Sequence, residues 1–472
     1  MSKKYEMTID GKSVVADTYV DMKNPANTDE VIGQAPQATT AHLDQAVAAA
    51  RKAFESWRHS SDEDRVAACG AIAKVITDNA EELAELLTKE QGKPLNGMGS
   101  RFEIGGCSGW AGYTSSIGLA DKIIEESDEK TVLQTRVPLG VVASITPWNW
   151  PVMIAIWHLV PAIRTGNTVV LKPSPYTPLS TLRMIELLNT VLPPGVLNVI
   201  SGGNELGAAL TDHDGIDKII FTGSIETGKK VMASAAKRVT PVTLELGGND
   251  AGIMLPGTDP AKYVEGLFFG SMLNSGQTCG ALKRLYVHKD DVDNVAQALA
   301  EFSKNIPVGD GMDENSMLGP LQNEMQYNKV VDLVEDAKAN GGKIIIGGDP
   351  VDGPNYFYPV TFVTGISDGV RLVDEEQFGP VLPIIAYTDL DDAIARANGT
   401  QFGLDASVWG DDREKTAEVA NRLEAGTVYE NKHAEIAPNI PFGGIKCSGI
   451  GVEFGEEGLA AYTSIKVINR AA

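Results

Sequence analysis

The chain has 472 residues, 43% of them hydrophobic and 22% charged, an ordinary globular balance with room for two or three domains. Its formal net charge of −23 repels phosphate backbones and anionic lipid surfaces, which argues against nucleic acid or a membrane as partner. Residues 1–12 carry no signal-like apolar run, and the longest apolar stretch, 151–163, falls short of the ~20 residues a spanning helix needs.

Helical periodicity dominates 40–90, where Ala46, Val47, Ala50 and Phe54 recur at i, i+3/i+4, as do Ile72, Val75, Ile76 and Leu83. From Val141 the pattern changes. Val141–Ile145 reads as a strand, 152–163 as a helix, 168–171 as a strand and 179–192 as a helix. Then come a strand at 196–200, a short helix at 205–210, a strand at 217–221 and a helix at 226–236. Such alternation implies right-handed βαβ crossovers and a parallel sheet covered on both faces, with ligands bound at the carboxyl ends of its strands. A second α/β series starts near Gly252. Its helices are expected at 261–272, 292–303 and 326–340, and its strands at 284–287, 343–346 and 383–387. Segments 131–137 and 462–469 read as isolated strands outside both series.

Four cysteines (Cys69, Cys107, Cys279 and Cys447) show no CxxC spacing, and six histidines show no HxxxH or HExxH spacing. No bound metal is expected, and scattered cysteines suit a reducing compartment, here the cytoplasm. The run 223–229, GSIETGK, starts like a P-loop, but Lys230 stands where Ser or Thr would hold magnesium, so a kinase or NTPase is disfavoured. A Gly-rich turn entering a helix still leaves N–H groups and a positive dipole end for a phosphate, although a plain strand–helix turn looks the same. Glu245, followed by Leu246 and two glycines, reads either as a general base at a strand end or as an ordinary acidic residue. Cys279 in GQTCG has small neighbours that open its sulfur to a reactant, but an inert buried thiol is the common alternative. Cys69, Cys107 and Cys447 keep that inert reading. In PWNWP, 147–151, two prolines and two tryptophans fix a turn around Asn149, whose amide could donate to an oxyanion or simply sit in a structural corner.

In this order the pieces resemble the aldehyde dehydrogenase superfamily over nearly the whole chain. The resemblance rests on PWNWP at 147–151, KPS at 172–174, FTGS at 221–224, ELGG at 245–248 and GQTC at 276–279. It continues through EEQFGP at 375–380 and PFGGIKCSGIG at 441–451. It implies a Cys279 nucleophile, a Glu245 base, and Asn149 as oxyanion donor beside the Cys279 N–H. For the cofactor it implies Lys172 at the adenosine ribose, Ser224 and Trp148 at the pyrophosphate, Glu376 at the nicotinamide ribose and Phe378 by the nicotinamide. Ser174, Pro175, Gly223 and Leu246 complete the cofactor set. For the aldehyde it implies a tunnel lined by Trp150, Trp157, Leu273 and Phe442.

The resemblance further implies an α/β fold of three parts. These are a doubly wound Rossmann-like cofactor domain (1–118 and 139–247), an α/β catalytic domain (248–446) and a small β-arm for oligomerisation (119–138 and 447–472). The expected activity is oxidation of a small aldehyde, aromatic or medium aliphatic, to its acid through a cysteine thioester, by a homodimer or homotetramer. NAD and NADP both stay open, with a lean to NAD. NAD-preferring members of the family often carry Glu three residues after the lysine. Here Pro175 neither repels a 2′-phosphate nor hydrogen-bonds a ribose. A semialdehyde substrate would need a cation such as Lys283 or Arg284. Glu430, His433 and Glu435 form a polar loop placed either near the tunnel mouth or on the solvated surface. A cysteine hydrolase or acyltransferase would need a histidine near Cys279, for which His288 is the candidate. The GRE that is usual near the end of the family's chains reads Gly451-Val452-Glu453, with no function attached to the change.

Overall fold

The computed structural model describes residues 3–471. The first sheet has eight strands, in the order Gly449–Ile450, Val242–Glu245, Lys218–Thr222, Val141–Ile145, Thr168–Lys172, Leu197–Val199, Met7–Ile9 and Lys12–Val14. Its five middle strands are parallel. They are short β-branched runs, almost wholly buried, as a parallel sheet covered on both faces demands. Alternate side chains go to opposite layers. Val141, Ala143 and Ile145 pack with Leu43, Val47 and Val231 of the helices Thr40–Trp57 and Ile225–Ala236. Val142, Val169 and Leu171 pack with Ile72, Ile156 and Leu182 of the helices Asp62–Asp78, Pro151–Arg164 and Leu179–Leu188.

The second sheet has seven strands, in the order Lys343–Ile346, Thr361–Thr364, Val381–Tyr387, Leu282–His288, Asp250–Met254, Asp405–Trp409 and Thr427–Glu430. Only its first strand pairs antiparallel. The two isolated strands of the sequence meet: Thr463–Ala471 pairs antiparallel with Lys130–Pro138, which also pairs with Lys122–Glu126.

One expectation is corrected. The helix expected over 179–192 stops at Leu188, where β-branched Thr190 and Val191 precede Pro193 and Pro194. Gly449–Ile450 pairs with Leu244 and Glu245 at the edge of the first sheet, ahead of the arm strand Thr463–Ala471. The helix Ser100–Ser116 has four interior glycines, which hide it from a propensity reading. One of them is needed for packing: a Cβ on Gly106 would lie 2.8 Å from the tip of Met153 in the neighbouring helix.

Candidate active site

Asn149 is 3% exposed in the turn before the helix Pro151–Arg164. Its side-chain Nδ2 donates to the carbonyl of Gln277, two residues before Cys279, at 2.9 Å. Its own carbonyl accepts from Lys93 Nζ (2.8 Å) and Asn274 Nδ2 (3.0 Å). Lys93 is fully buried in an ion pair with Glu103, and its ammonium lies 3.5 Å from the Trp150 ring centroid. Burial pulls Lys93 down to about 8 while Glu103 opposes the shift. The second oxygen of Glu103 accepts the N–H groups of Val152 and Met153, both at 3.0 Å, and so caps the helix that follows Asn149. Sequence reasoning missed this buried pair, because a charged residue carries no sign of its burial.

The loop before Cys279 is held in an uncommon shape. Asn274, Ser275 and Gly276 have φ of 53°, 54° and 73°. A Cβ on Gly276 would come within 2.1 Å of the Gly379 carbonyl, so only glycine allows this approach. Ser275 Oγ donates to Gly319 O (2.7 Å), Gln277 Nε2 to Asn274 O (3.0 Å) and Trp150 Nε1 to Thr278 Oγ1 (3.0 Å). Such backbone conformations persist where surrounding contacts over-determine them, as at reactive sites.

Cys279 is half-buried, beside Leu404, Phe442 and Phe454, with Trp110, Trp157 and Ile436 in the same cluster. Burial pushes its thiol up to about 12; Lys283 opposes this, while Asp405, Asp250 and Glu376 add to it. Glu245 ends the strand Val242–Glu245, and neither of its carboxylate oxygens has a hydrogen-bond partner. Burial holds its carboxyl well above the usual range, reinforced by the charges of Glu453 and Asp405. A Cβ on Gly443 would stand 3.4 Å from Glu245 Oε1, and the preceding Phe442 belongs to the Cys279 cluster. Phe442 and Gly443 thus link the surroundings of Cys279 to those of Glu245. Glu453, unassigned in the sequence, is buried with Oε1 at 3.2 Å from His158 Nε2. Nothing local in Gly451-Val452-Glu453 signals that contact.

The remaining predicted residues gather at the carboxyl ends of the first sheet. Lys172 is buried, and its ammonium has a single partner, the Pro173 carbonyl at 3.2 Å; burial pulls it down to about 8. Ser174 is buried, Pro175 exposed. Ser224 caps the helix Ile225–Ala236 just after Gly223, and Leu246 lies under that helix, 2.5 Å from where a Gly228 Cβ would be. Trp148 meets Phe378 edge-on with centroids 5.3 Å apart. Glu376 Oε1 accepts the Gly248 N–H at 3.2 Å. A Cβ on Gly247 would lie 2.4 Å from Glu376 Oε2, so the glycines of ELGG admit this carboxylate. An under-partnered buried ammonium, a helix N-terminus entered from a glycine and a carboxylate beside the glycines of ELGG fit a dinucleotide.

The predicted tunnel residues divide. Phe442 lies with Cys279, Trp150 and Leu273 belong to a core cluster of the first sheet, and Trp157 packs against both. Arg284 donates to Asn249 O, Tyr286 OH and Ala397 O, so its guanidinium is occupied. His288 ends the strand Leu282–His288, roughly 20 Å along it from Leu282, the end that follows Cys279. It lies 3.6 Å from Asp290 and cannot serve as a base for that sulfur. The polar loop separates: Glu430 accepts from Thr416 Oγ1 (2.6 Å), His433 is buried and Glu435 pairs with Lys432 (3.0 Å).

The family model for the aldehyde dehydrogenase family matches residues 13–468. The chain belongs to the aldehyde dehydrogenase family. The dehydrogenase is similar to an aldehyde dehydrogenase from Bacillus cereus solved as its NAD+ complex, with a TM-score of 0.96 and 34% identity, covering 99% of this chain and 97% of that one. It is similar to betaine aldehyde dehydrogenase from Staphylococcus aureus, solved with NAD+, with a TM-score of 0.94 and 35% identity over 98% and 94% of the two chains. It is also 36% identical to the chloroplastic betaine aldehyde dehydrogenase of Beta vulgaris over 98% of this chain and 95% of that one. The dehydrogenase has the mixed α/β architecture of these solved structures. Among its described residues no helix is long and apolar enough to cross a membrane, and no cluster of three or more acidic, His or Cys side chains is arranged to hold a metal.

Proposed function

We propose that the enzyme oxidises an uncharged aromatic or medium aliphatic aldehyde to its carboxylic acid with NAD, using Cys279 as nucleophile. The observation that carries this reading is the Asn149 amide held 2.9 Å from the Gln277 carbonyl, two residues before Cys279. The Cys279 sulfur, once its proton is lost, bonds to the aldehyde carbon, and the carbonyl oxygen becomes an oxyanion. Asn149 Nδ2 and the Cys279 N–H donate to it; one such donor is worth about 3–4 kcal/mol of barrier. Lys172, Ser174, Gly223, Ser224, Leu246, Trp148, Glu376 and Phe378, with Pro175 at the rim, would hold NAD, which would supply the hydride acceptor. Loss of hydride leaves a thioester on Cys279. Glu245 takes a proton from water, which adds to the thioester carbon, and the thiolate departs as the acid forms.

The elevated Glu245 carboxyl suits this base: the ionised form is required, so hydrolysis quickens as pH rises through its raised value. Replacing Glu245 by Gln should keep one pre-steady-state burst of reduced nicotinamide per active site and slow turnover by about 10²-fold or more. Cys279→Ala should abolish burst and turnover alike. Normal turnover in either variant would reject the assignment.

Four rings, Trp110, Trp157, Phe442 and Phe454, support an apolar substrate end. They favour one second reading, a quaternary-ammonium aldehyde bound by cation–π contacts, in line with the names of two relatives. A semialdehyde is disfavoured, because Arg284 is occupied and Lys283 faces a carboxylate. A panel of aromatic, aliphatic, cationic and semialdehyde substrates, ranked by kcat/KM, decides among them. We place the enzyme in the cytoplasm on its unpaired cysteines and assign it a homodimer or homotetramer built through the arm.

A further inference from the structure

We propose that Lys283 is a positioning residue that serves two groups at once: it holds the Glu376 carboxylate in the cofactor cleft and supplies the positive charge against which the Cys279 sulfur ionises. This deepens the reading above and rests on its assignments of Cys279 and Glu376. Lys283 is 1% exposed. Its ammonium lies 3.2 Å from Glu376 Oε1, donates to the Cys279 carbonyl, and stands 5.7 Å from the Phe378 ring centroid. A lysine is retained in such a place only when its charge is compensated.

The compensation is built from strand starts. Asp250 opens Asp250–Met254, Asp405 opens Asp405–Trp409, and Lys283 is the second residue of Leu282–His288. The first of these strands lies between the other two, so one cation and two acids share one edge of the second sheet. Asp405 N–H donates to Asp250 Oδ1 at 3.2 Å. A Cβ on Gly280 would come within 2.3 Å of Asp405 Oδ2 and 4.0 Å of Asp250 Oδ2, so the acids lie directly under the residue after the nucleophile. Both Asp405 oxygens and Asp250 Oδ2 lack hydrogen-bond partners; burial pushes Asp250 up to about 7 and holds Asp405 well above the usual carboxylate range, and Lys283 opposes both shifts.

Of the charged groups acting on the sulfur, Lys283 alone favours the thiolate; Asp405, Asp250 and Glu376 oppose it. Two more titratable side chains border the cluster. His433 is pulled down to about 3, by burial first and Lys283 next, and stays neutral; Tyr429 is pushed up, by burial first and Asp405 and Asp250 next, and keeps its proton. Lys283 therefore links the cofactor-side carboxylate and the nucleophile through one atom. Its loss should weaken both, and loss of an acid should act on the sulfur with the opposite sign.

The test follows alkylation of Cys279 by iodoacetamide against pH, read by mass spectrometry of the Cys279 peptide in the full-length protein. The half-buried Cys447 serves as internal reference. Lys283→Met should raise the midpoint by about one pH unit, a roughly tenfold slower reaction at a fixed lower pH, and raise the KM for NAD. Lys283→Arg should restore most of both, and Asp405→Asn should move the midpoint down. An unchanged midpoint in Lys283→Met, or shifts of the same sign in Lys283→Met and Asp405→Asn, overturns the proposal. Should Lys283→Met fail to fold, Lys283→Arg and Asp405→Asn decide: a downward shift in the acid variant alone supports it, and no shift refutes it. Because alkylation reports the sulfur itself, the outcome is independent of whether Cys279→Ala abolishes aldehyde oxidation.

Discussion

Pro175 stands exposed three residues after Lys172, in the turn that leaves the strand Thr168–Lys172. It brings neither charge nor hydrogen-bond donor to the cofactor rim. A carboxylate introduced there would repel a 2′-phosphate across a solvent-screened gap by about 1–2 kcal/mol. Pro175→Glu is expected to lower the ratio of kcat/KM for NADP to that for NAD by about tenfold, measured with one aldehyde at saturation. An unchanged ratio would mean that the adenosine ribose is read elsewhere. Exposure makes this a safe position for stability, in contrast to Lys172, whose buried ammonium has one carbonyl partner.

At the scale of elements, the start of the helix Pro151–Arg164 is a joint between both sheets. Glu103 belongs to the helix Ser100–Ser116, yet it satisfies two N–H groups of Pro151–Arg164 and neutralises Lys93, which in turn holds the Asn149 carbonyl. Glu103→Gln leaves an unpaired buried ammonium. The expected cost is about 3–5 kcal/mol, seen as a lower urea midpoint, with kcat falling as Asn149 loses its anchor. Replacing Lys93 and Glu103 together by methionine should return most of the stability, because no buried charge is then stranded, without returning kcat. Equal recovery of both quantities would show that the pair does not position Asn149.

On the scale of the molecule, the three-stranded arm pairs with no other sheet among the described residues. Thr463–Ala471 has one paired edge and one open edge, and Ile465, Val467, Ile123 and Ile124 are all exposed on the arm. An open edge with exposed β-branched residues invites another strand or sheet. Ile465→Lys combined with Val467→Lys is expected to lower the sedimentation coefficient to that of a smaller assembly, with little change in far-ultraviolet dichroism. A coefficient equal to that of the unaltered protein would remove the arm from the interface.

The pairing of the distant arm strands and the part played by the cysteine loop were implied only by the family resemblance, whereas the two α/β series and the two lone arm strands were legible from residue order. Their signals are local: β-branched runs spaced by helical periods, glycines where the backbone must approach Gly379, prolines around Asn149. The helix Ser100–Ser116 was not, because four interior glycines argue against a helix in sequence, and only Gly106 among them closely approaches Met153 of a neighbouring helix. Charge roles were hidden as well. Lys93, Glu103, Lys283, Asp405 and Glu453 look like surface residues in a string of letters. Folding removes water from around them and brings partners from remote segments, and the resulting low dielectric pulls Lys93 down and pushes the Asp405 carboxyl up.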